Sequence, residues 1–273
     1  MWCREAAKRW FSTAVLVEKR EGYAVMRMNR PPVNSLNLEL LQSLDATLAS
    51  LETDKSIKGV VLASSNPKIF SAGLDLLELH RPDTTRLREF WRSLQHLYMR
   101  LYMSPLATVA AIEGHSPAGG CALAMGCDAR VMATGKPLIG MNEAKFGLVA
   151  PFWIKNVMVN LIGHRESERM LGLGLQVDAA TAKRIGLVDE AVPHELVLAT
   201  AEATLQEWLA IPAHARRATK DLVRRDTVEQ LRANLQTDED DVVRLVETES
   251  IQMALDKYLA SLKQQERPRA KNA

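Results

Sequence analysis

The sequence predicts an α/β protein, because short apolar segments alternate along the chain with longer segments of helical periodicity. Residues 59–63 and 108–112 are rich in valine and alanine and have the length and composition of buried strands. The longer segments repeat leucine and aromatic residues every three or four positions. A strand, a helix and a strand in this succession favour a parallel sheet with helical crossovers.

The elements of the first part of the chain are predicted from their spacing. Residues 15–17 and 23–28 have the pattern of two strands joined by a short turn that contains glycine. Leucines at helical spacing over residues 38–51 predict a helix. A wider apolar stripe over residues 87–102 predicts a second helix, which ends before Pro105.

The later part of the chain is predicted to contain three more strands and then mostly helices. A short helix is expected after Gly120, and an acidic run at residues 238–241 is placed to favour the start of the last helix. The predicted strands lie at residues 129–133, 138–141 and 187–192, and the predicted helices at residues 196–209, 212–225 and 241–262.

Composition is that of an ordinary enzyme-sized domain. A chain of 273 residues with 47% hydrophobic content can bury a sizeable core. The net charge of +2 gives no support to nucleic acid or a membrane surface as a partner. The three cysteines form no CxxC pair and have no histidine at ligand spacing, so neither a metal site nor a disulfide framework is predicted. No apolar run approaches the roughly 18 residues that a spanning helix needs.

Two loops of small residues carry the strongest chemical signal. The segment FSAGLDL at residues 70–76 follows the first buried strand, and PAGGC at residues 117–121 follows the second. A turn that leaves a strand and opens a helix directs bare N–H groups into a cleft. Two such amides from two loops make an oxyanion hole, and small residues let an acyl oxygen approach the backbone. The pair therefore predicts chemistry on a carbonyl.

Together with MNEAKFG at residues 141–147, these loops resemble in order and spacing the crotonase (enoyl-CoA hydratase/isomerase) superfamily. The segments NRPP, VNSL, the Asn142-Glu143 pair and APFW resemble most closely the mitochondrial Δ3,Δ2-enoyl-CoA isomerases of that superfamily. The resemblance covers about residues 15–262. It implies a crotonase-like spiral of ββα units over residues 14–195, followed by a C-terminal helical region at residues 196–273. It also implies a homo-oligomer, a trimer.

Glu143 is the candidate catalytic residue. It lies between an apolar strand and the apolar segment FGLVAPFW, so its carboxylate is expected among apolar groups, where desolvation makes its anion a better base near neutral pH. Local sequence alone favours a surface glutamate in a loop. The resemblance places the catalytic glutamate of the isomerases at this motif.

The resemblance also implies that the backbone N–H groups of Leu74 and Gly119 form the oxyanion hole. Two of the implied substrate contacts have alternatives, since Asn142 can instead cap a turn and Asp75 can cap the helix that follows it. The substrate-binding residues implied by the resemblance are Ala72, Gly73, Leu74, Asp75, Leu76, Gly119 and Asn142.

The activity implied is the shift of a 3-cis or 3-trans double bond of an enoyl-CoA to the 2-trans position, within fatty-acid β-oxidation. Coenzyme A belongs to the substrate, and no other cofactor or metal is expected. Hydratases of the superfamily carry a second glutamate where this chain has Ala122, and a methyl group cannot activate water. Hydration is therefore expected to be weak, and an enoyl-CoA hydratase-like enzyme is the alternative function.

A second alternative is a non-catalytic CoA-binding or RNA-binding member of the same fold. Its contact surface would be a basic cluster with helical spacing, for which a solvated helix face is the plainer interpretation. The cluster consists of Arg216, Arg217, Lys220, Arg224 and Arg225.

Residues 1–13 resemble a mitochondrial targeting segment, because they are basic, aromatic and hydroxyl-bearing. Glu5 counts against this interpretation, and a frayed N-terminal tail is the alternative. Arg9 precedes Ser12 at the spacing of a matrix-protease site, so the mature protein is expected to begin near Ser12 and to reside in the mitochondrial matrix.

Overall fold

The protein is built around a mostly parallel sheet. In the computed structural model, which describes residues 14–265, six strands form this sheet and two form a separate parallel pair. The strands are β1 (Val15–Arg20), β2 (Tyr23–Met28), β3 (Gly59–Ser64), β4 (Ala107–Ile112), β5 (Ser116–Pro117), β6 (Ala129–Ala133), β7 (Ile139–Gly140) and β8 (Glu190–Val192).

The order of strands in the large sheet is β1-β2-β3-β4-β6-β8. Strands β1 and β2 form an antiparallel hairpin, and every other neighbouring pair is parallel. Since parallel neighbours need crossover connections, long helices lie between the strands. The predicted α/β class with a parallel sheet is confirmed.

The helices connect and cover these strands, and three short 3₁₀ segments lie at Leu76–Glu78, Glu143–Phe146 and His194–Leu196. Asn37 and Asp83 cap the first two helices by accepting hydrogen bonds from backbone amides in the first turn. The helices are α1 (Leu38–Thr53), α2 (Thr84–Met103), α3 (Gly119–Gly126), α4 (Phe152–Ile162), α5 (His164–Gly172), α6 (Ala179–Ile185), α7 (Val197–Leu209), α8 (Ala213–Ala233), α9 (Leu235–Val246) and α10 (Glu249–Gln265).

The two faces of the sheet bury different partners. Alternate residues of the central strands point to opposite faces, so that Val60 and Leu62 join the large core with α1 and α2, whereas Val61 packs against α7. Helix α7 lies very close to the sheet at Gly59, where an added Cβ would come within 2.8 Å of a Leu205 methyl carbon. Both faces are thus covered, as expected for parallel strands that are apolar throughout.

The C-terminal helices differ from the prediction. The helix predicted over residues 212–225 continues to Ala233, and the single helix predicted over residues 241–262 is wrong, since α9 ends at Val246 and α10 begins at Glu249. The reason is a change of phase in the apolar stripe. The buried residues Val246 and Ile251 are five positions apart, which on one continuous helix would turn them by about 140° relative to each other.

The interpretation of the basic cluster as a solvated face is also wrong. Arg216 and Lys220 are only 7% and 8% exposed. The Lys220 ammonium and the Arg224 guanidinium lie 2.8 and 3.0 Å from the buried carboxylate of Asp128, which precedes β6. Spacing of four residues on α8 turns these cations inward onto one carboxylate, and the remaining two members of the cluster, Arg217 and Arg225, are exposed.

Several predictions fall outside what the structure describes. The targeting segment at residues 1–13 lies outside the described residues, as does the end of the helical region at residues 266–273. The division into a core at residues 14–195 and a helical region from residue 196 stays a prediction.

Within residues 14–265, no helix combines the length and apolarity needed to cross a membrane, and no cluster of side chains has the composition of a metal site.

Candidate active site

A small second ladder of parallel segments brings the three sequence motifs to one edge. The predicted strand at residues 138–141 is reduced to β7, which pairs with β5 rather than with the large sheet. The Phe70 amide donates to the His115 carbonyl at 2.9 Å, and the Ala118 amide donates to the Gly140 carbonyl at 2.8 Å. Because the carboxyl ends of parallel segments meet at the same edge, the two small-residue loops and the segment after Gly140 are neighbours.

The two loops approach each other closely at Leu74 and Gly119. A Cβ built on Gly119 would lie 3.3 Å from the Leu74 nitrogen. A Cβ built on Gly73 would lie 3.1 Å from the Gly119 nitrogen and 2.9 Å from the Cβ of Ala118. Gly73 also has a φ of +89°, so both its conformation and its surroundings require glycine.

The amides of Leu74 and Gly119 have no hydrogen-bond acceptor among residues 14–265. Gly119 is the first residue of α3, where backbone N–H groups lack intrahelical partners. The preceding Ala118 has a φ of 48°, a conformation that costs a non-glycine residue on the order of 1–3 kcal/mol. Two free donors thus lie on closely approaching loops, and a pair of such donors can stabilise a developing oxyanion.

Glu143 follows β7 and begins a 3₁₀ turn beside these loops. Its Oε2 atom is buried and has no hydrogen-bond partner among the described residues. Burial raises the pKa of the Glu143 carboxyl to about 7, and a hydrogen bond from its own backbone N–H offsets a part of this. The apolar environment predicted for this carboxylate is confirmed, and it holds a proton acceptor at a pKa suited to neutral pH.

Two observations place the carboxylate relative to the loops and to an apolar space. The pairing of β5 with β7 places the segment that carries Glu143 next to the glycine loop, and the Glu143 charge raises the pKa of the Cys121 thiol, which burial already raises. On another side, Glu143 borders a cavity of about 250 Å³. Its other walls are mostly apolar and include Leu148, Val149 and Leu171. An acyl chain is the kind of group that such walls accept.

The remaining residues predicted to contact substrate differ in whether their side chains already have partners within the protein. The Asp75 carboxylate lies 2.7 Å from the Arg30 guanidinium and accepts from the Leu77 amide at 3.1 Å, so it caps the 3₁₀ segment that follows. Asn142 makes no capping hydrogen bond with its side chain. Ala72 and Leu76 are half-buried along the same loop. Roles in substrate binding stay predictions for these four residues, as for Gly73.

Comparison with known proteins shows which family the chain belongs to. Residues 18–267 match the sequence profile of the family described as enoyl-CoA hydratase/isomerase. The chain belongs to this family. It is 47% identical to the mouse (Mus musculus) protein named enoyl-CoA delta isomerase 1, mitochondrial, over 95% of this chain and 91% of that protein. The human protein of the same name is 44% identical over 96% of this chain and 87% of its own length.

The enoyl-CoA hydratase/isomerase family is also evident in solved structures. Human mitochondrial delta3-delta2-enoyl-CoA isomerase has a TM-score of 0.91 to this chain at 44% identity, covering 93% of this chain and 99% of that one. An enoyl-CoA hydratase from Bacillus halodurans, at 24% identity, shares the fold with a TM-score of 0.82 over 89% of this chain and 99% of that one. The predicted crotonase-like fold is confirmed.

Sequence reasoning missed the groups that hold the loops in place. Arg30 pairs with Asp75. The buried Asn34 side chain donates to the Phe70 carbonyl, and the buried Ser71 hydroxyl donates to the Asn34 carbonyl. Helix α10 packs on the Glu143 turn through an edge contact of the Phe146 and Tyr258 rings, whose centroids are 4.7 Å apart. Asn34 and Ser71 lie within the quoted motifs, but only their partners in space reveal what they do.

Proposed function

We propose that the protein is an isomerase that shifts the double bond of a 3-cis- or 3-trans-enoyl-CoA to the 2-trans position in fatty-acid β-oxidation. The observation that carries this proposal is the buried Glu143 Oε2 atom, which has no hydrogen-bond partner among the described residues, on the segment next to the loops whose Leu74 and Gly119 amides are free. A base and an oxyanion hole together suit proton abstraction next to a thioester. The named isomerase relatives at 44% and 47% identity support the same reaction.

The proposed reaction needs one base and two proton transfers. With the thioester oxygen held by the amides of Leu74 and Gly119, Glu143 takes a proton from C2, and the electrons of that C–H bond pass into a dienolate whose negative charge rests on the oxygen. The proton then returns from Glu143 to C4. The C3–C4 double bond is thereby replaced by a C2–C3 double bond, with no net change in atoms or electrons.

Hydration is disfavoured because water addition in this superfamily uses a second carboxylate. The corresponding position holds Ala122, which lies in α3 and is 6% exposed. The RNA-binding alternative loses its surface, since Lys220 and Arg224 are paired with Asp128. Arg216 donates to the Trp208 carbonyl at the end of α7.

Side-by-side turnover tests the proposed function. The protein should convert 3-cis- and 3-trans-enoyl-CoA to 2-trans-enoyl-CoA at least about a hundredfold faster than it hydrates 2-trans-enoyl-CoA. Hydration lacks its second carboxylate here, and one general acid or base contributes roughly 10²–10⁴-fold to a rate. Product analysis by chromatography separates the conjugated thioester from the 3-hydroxyacyl product. Comparable rates of isomerisation and hydration would contradict the proposal, and absence of isomerisation would refute it.

The pH profile should report the ionisation of Glu143. Since the base acts as its anion and burial raises the pKa of that carboxyl to about 7, kcat/KM for a 3-enoyl-CoA should rise about tenfold per pH unit well below pH 7 and level off above it. Steady-state rates from about pH 5 to about pH 9 measure this. An inflection near pH 4.5, the ordinary range of a glutamate, would show that the working base is exposed to water.

We further propose that the protein resides in the mitochondrial matrix and that its N-terminal segment is removed there. The support is the composition of residues 1–13 and the mitochondrial names of the relatives. The family resemblance also supports a homotrimer, and the exposed apolar side chains Leu222 and Val223 on α8 offer a surface that an assembly would cover.

Material purified from mitochondria should begin near Ser12. Deleting residues 1–11 should leave turnover unchanged, because the loops and Glu143 all lie far along the chain from this segment. Sequencing of the mature N-terminus measures the first point, and the turnover assay measures the second. An intact Met1 on protein from the organelle would rule out cleavage at this site, and a cytosolic location would overturn the assignment to the matrix.

A further inference from the structure

We propose that Ser71 is a positioning residue that aims the Leu74 amide at the substrate oxygen, an inference that rests on the proposed function. Ser71 is 0% exposed. Its hydroxyl donates to the Asn34 carbonyl at 2.7 Å and accepts from the Gly73 amide at 3.2 Å. The side chain thus joins the oxyanion loop to the neighbouring VNSL segment and fixes the residue just before Leu74.

The hydrogen bonds of this loop leave one amide free. The Ala72 amide donates to the Val33 carbonyl at 2.9 Å, and the Asp75 amide donates to the Leu36 carbonyl at 2.9 Å. The Gly73 amide is occupied by Ser71. Only the Leu74 amide, among residues 72–75, has no acceptor. The network therefore selects which N–H group faces the site.

The direction of that amide follows from the planarity of the peptide bond. The Gly73 carbonyl accepts from the Leu36 amide at 2.8 Å. In a trans peptide the C=O and the following N–H point in opposite directions, so the Leu74 N–H is turned away from Leu36, and its nitrogen lies beside Gly119. Ser71 holds the N-terminal side of Gly73, whose φ of +89° is one of the two torsion angles that orient this peptide plane.

The acceptor of the Ser71 hydroxyl is itself held in place. Asn34 has a φ of 51° and is 2% exposed. Its side-chain amide donates to the Ser64 hydroxyl at 2.8 Å and to the Phe70 carbonyl at 3.1 Å, and its side-chain oxygen accepts from the Arg30 amide at 2.8 Å. The Asn34 carbonyl is thus a fixed reference point from which Ser71 reaches the loop.

Ser104 provides a matched control for a purely structural hydroxyl. It is 1% exposed, donates to the Glu52 carboxylate at 2.7 Å and accepts from the Leu106 amide at 3.3 Å. Its pattern of one donated and one accepted hydrogen bond is that of Ser71, but it lies between α2 and β4. Removal of either hydroxyl should therefore affect folding in a similar way, whereas only Ser71 should affect the thioester.

The experiment compares Ser71→Ala, Ser104→Ala and the unaltered protein with a ¹³C-labelled 2-trans-enoyl-CoA and with a 3-enoyl-CoA. Infrared difference spectra of the bound thioester measure how strongly its carbonyl is polarised. Ser71→Ala should move the carbonyl band back toward its frequency in water and lower kcat about tenfold or more, with the dissociation constant within about twofold. Ser104→Ala should match the unaltered protein in band position and kcat, although its melting temperature falls.

A Ser71→Ala protein with an unchanged carbonyl band and kcat would overturn the inference, as would an equal loss in Ser104→Ala. If the unaltered protein binds the thioester without shifting its carbonyl band, the oxyanion hole of the proposed function fails, and the inference fails with it. If Ser71→Ala does not fold, Ser71→Cys retains the shape with a weak acceptor. In Ser71→Cys the carbonyl band should move part of the way back toward its frequency in water. A band at the position found in the unaltered protein would again overturn the inference.

Discussion

Glu143→Gln is expected to lower kcat for isomerisation by about three orders of magnitude, because the amide that replaces the carboxylate cannot accept the C2 proton. Glutamine has nearly the same size, so the apolar walls around Oε2 remain in place. Acyl-CoA should bind with a dissociation constant within a fewfold of the unaltered one. Steady-state turnover of a 3-enoyl-CoA, together with binding of a saturated acyl-CoA, measures both quantities.

The same variant should be more stable than the unaltered protein above pH 7. The pKa of Glu143 is raised to about 7 in the folded state, so the folded state binds more protons than the unfolded state between the ordinary pKa of a glutamate and pH 7. Ionisation therefore lowers the free energy of unfolding as pH rises through this range, and glutamine avoids a cost on the order of 1–3 kcal/mol. Urea unfolding at about pH 5 and about pH 8 measures the difference.

Those measurements also exclude a trivial explanation of lost activity. A stable Glu143→Gln protein that binds acyl-CoA and fails to turn it over has lost a chemical group and retained its fold. Turnover within about tenfold of the unaltered rate would refute the role of Glu143, since general-base catalysis contributes about 10²–10⁴-fold. If Glu143→Gln is less stable than the unaltered protein at pH 8, the Glu143 carboxylate has a stabilising partner in the folded protein.

Gly119→Ala is expected to lower kcat by about 10²–10³-fold, because the added methyl group keeps the thioester oxygen away from the amides and loss of one oxyanion-hole hydrogen bond usually costs this much. The new Cβ would lie 3.3 Å from the Leu74 nitrogen, where the thioester oxygen must approach. Its closest contact, at 2.9 Å, is a terminal methyl carbon of Leu36, which can rotate away. Gly119 has no left-handed backbone and begins a helix, so its conformation admits alanine, and the remaining close contact is the Gly73 Cα atom at 3.3 Å.

Gly126→Ala is the matched control for this variant. Gly126 ends the same helix α3, and a Cβ there would lie 3.1 Å from a methyl carbon of Leu101. Both variants thus add one methyl group against a leucine side chain, and only one of them reaches the proposed oxyanion hole. Equal kcat values in the two variants would contradict the assignment of Gly119, whereas similar melting temperatures with unequal kcat values support it.

Local patterns in the sequence were sufficient to predict the main elements of the site. The loops at residues 70–76 and 117–121 follow strands that are buried on both faces, so their ends were fixed at one edge by the parallel sheet. The apolar surroundings of Glu143 follow from the residues on either side of it. Periodicity over residues 38–51 and 87–102 likewise predicted α1 and α2, since both bury one apolar stripe.

Features that depend on distant partners could not be predicted in this way. The inward positions of Lys220 and Arg224 depend on Asp128, some ninety residues earlier in the chain, which helical spacing alone does not reveal. The break between α9 and α10 follows a change of phase in the apolar stripe, and the two helices pack on different partners, α9 on α2 and α10 on the Glu143 turn. The hydroxyl of Ser71 acquires its partner only when the VNSL segment lies alongside the loop.

Tracing the transferred proton tests the central claim most directly, namely that a single shielded carboxylate moves it from C2 to C4. A 3-enoyl-CoA carrying deuterium at both C2 positions is converted in ordinary water, and the product is analysed by nuclear magnetic resonance. Since the Glu143 Oε2 atom is buried without a partner, part of the deuterium lost from C2 should appear at C4. A product whose C4 position has taken all of its new hydrogen from water, even at the earliest times, would contradict a single shielded base.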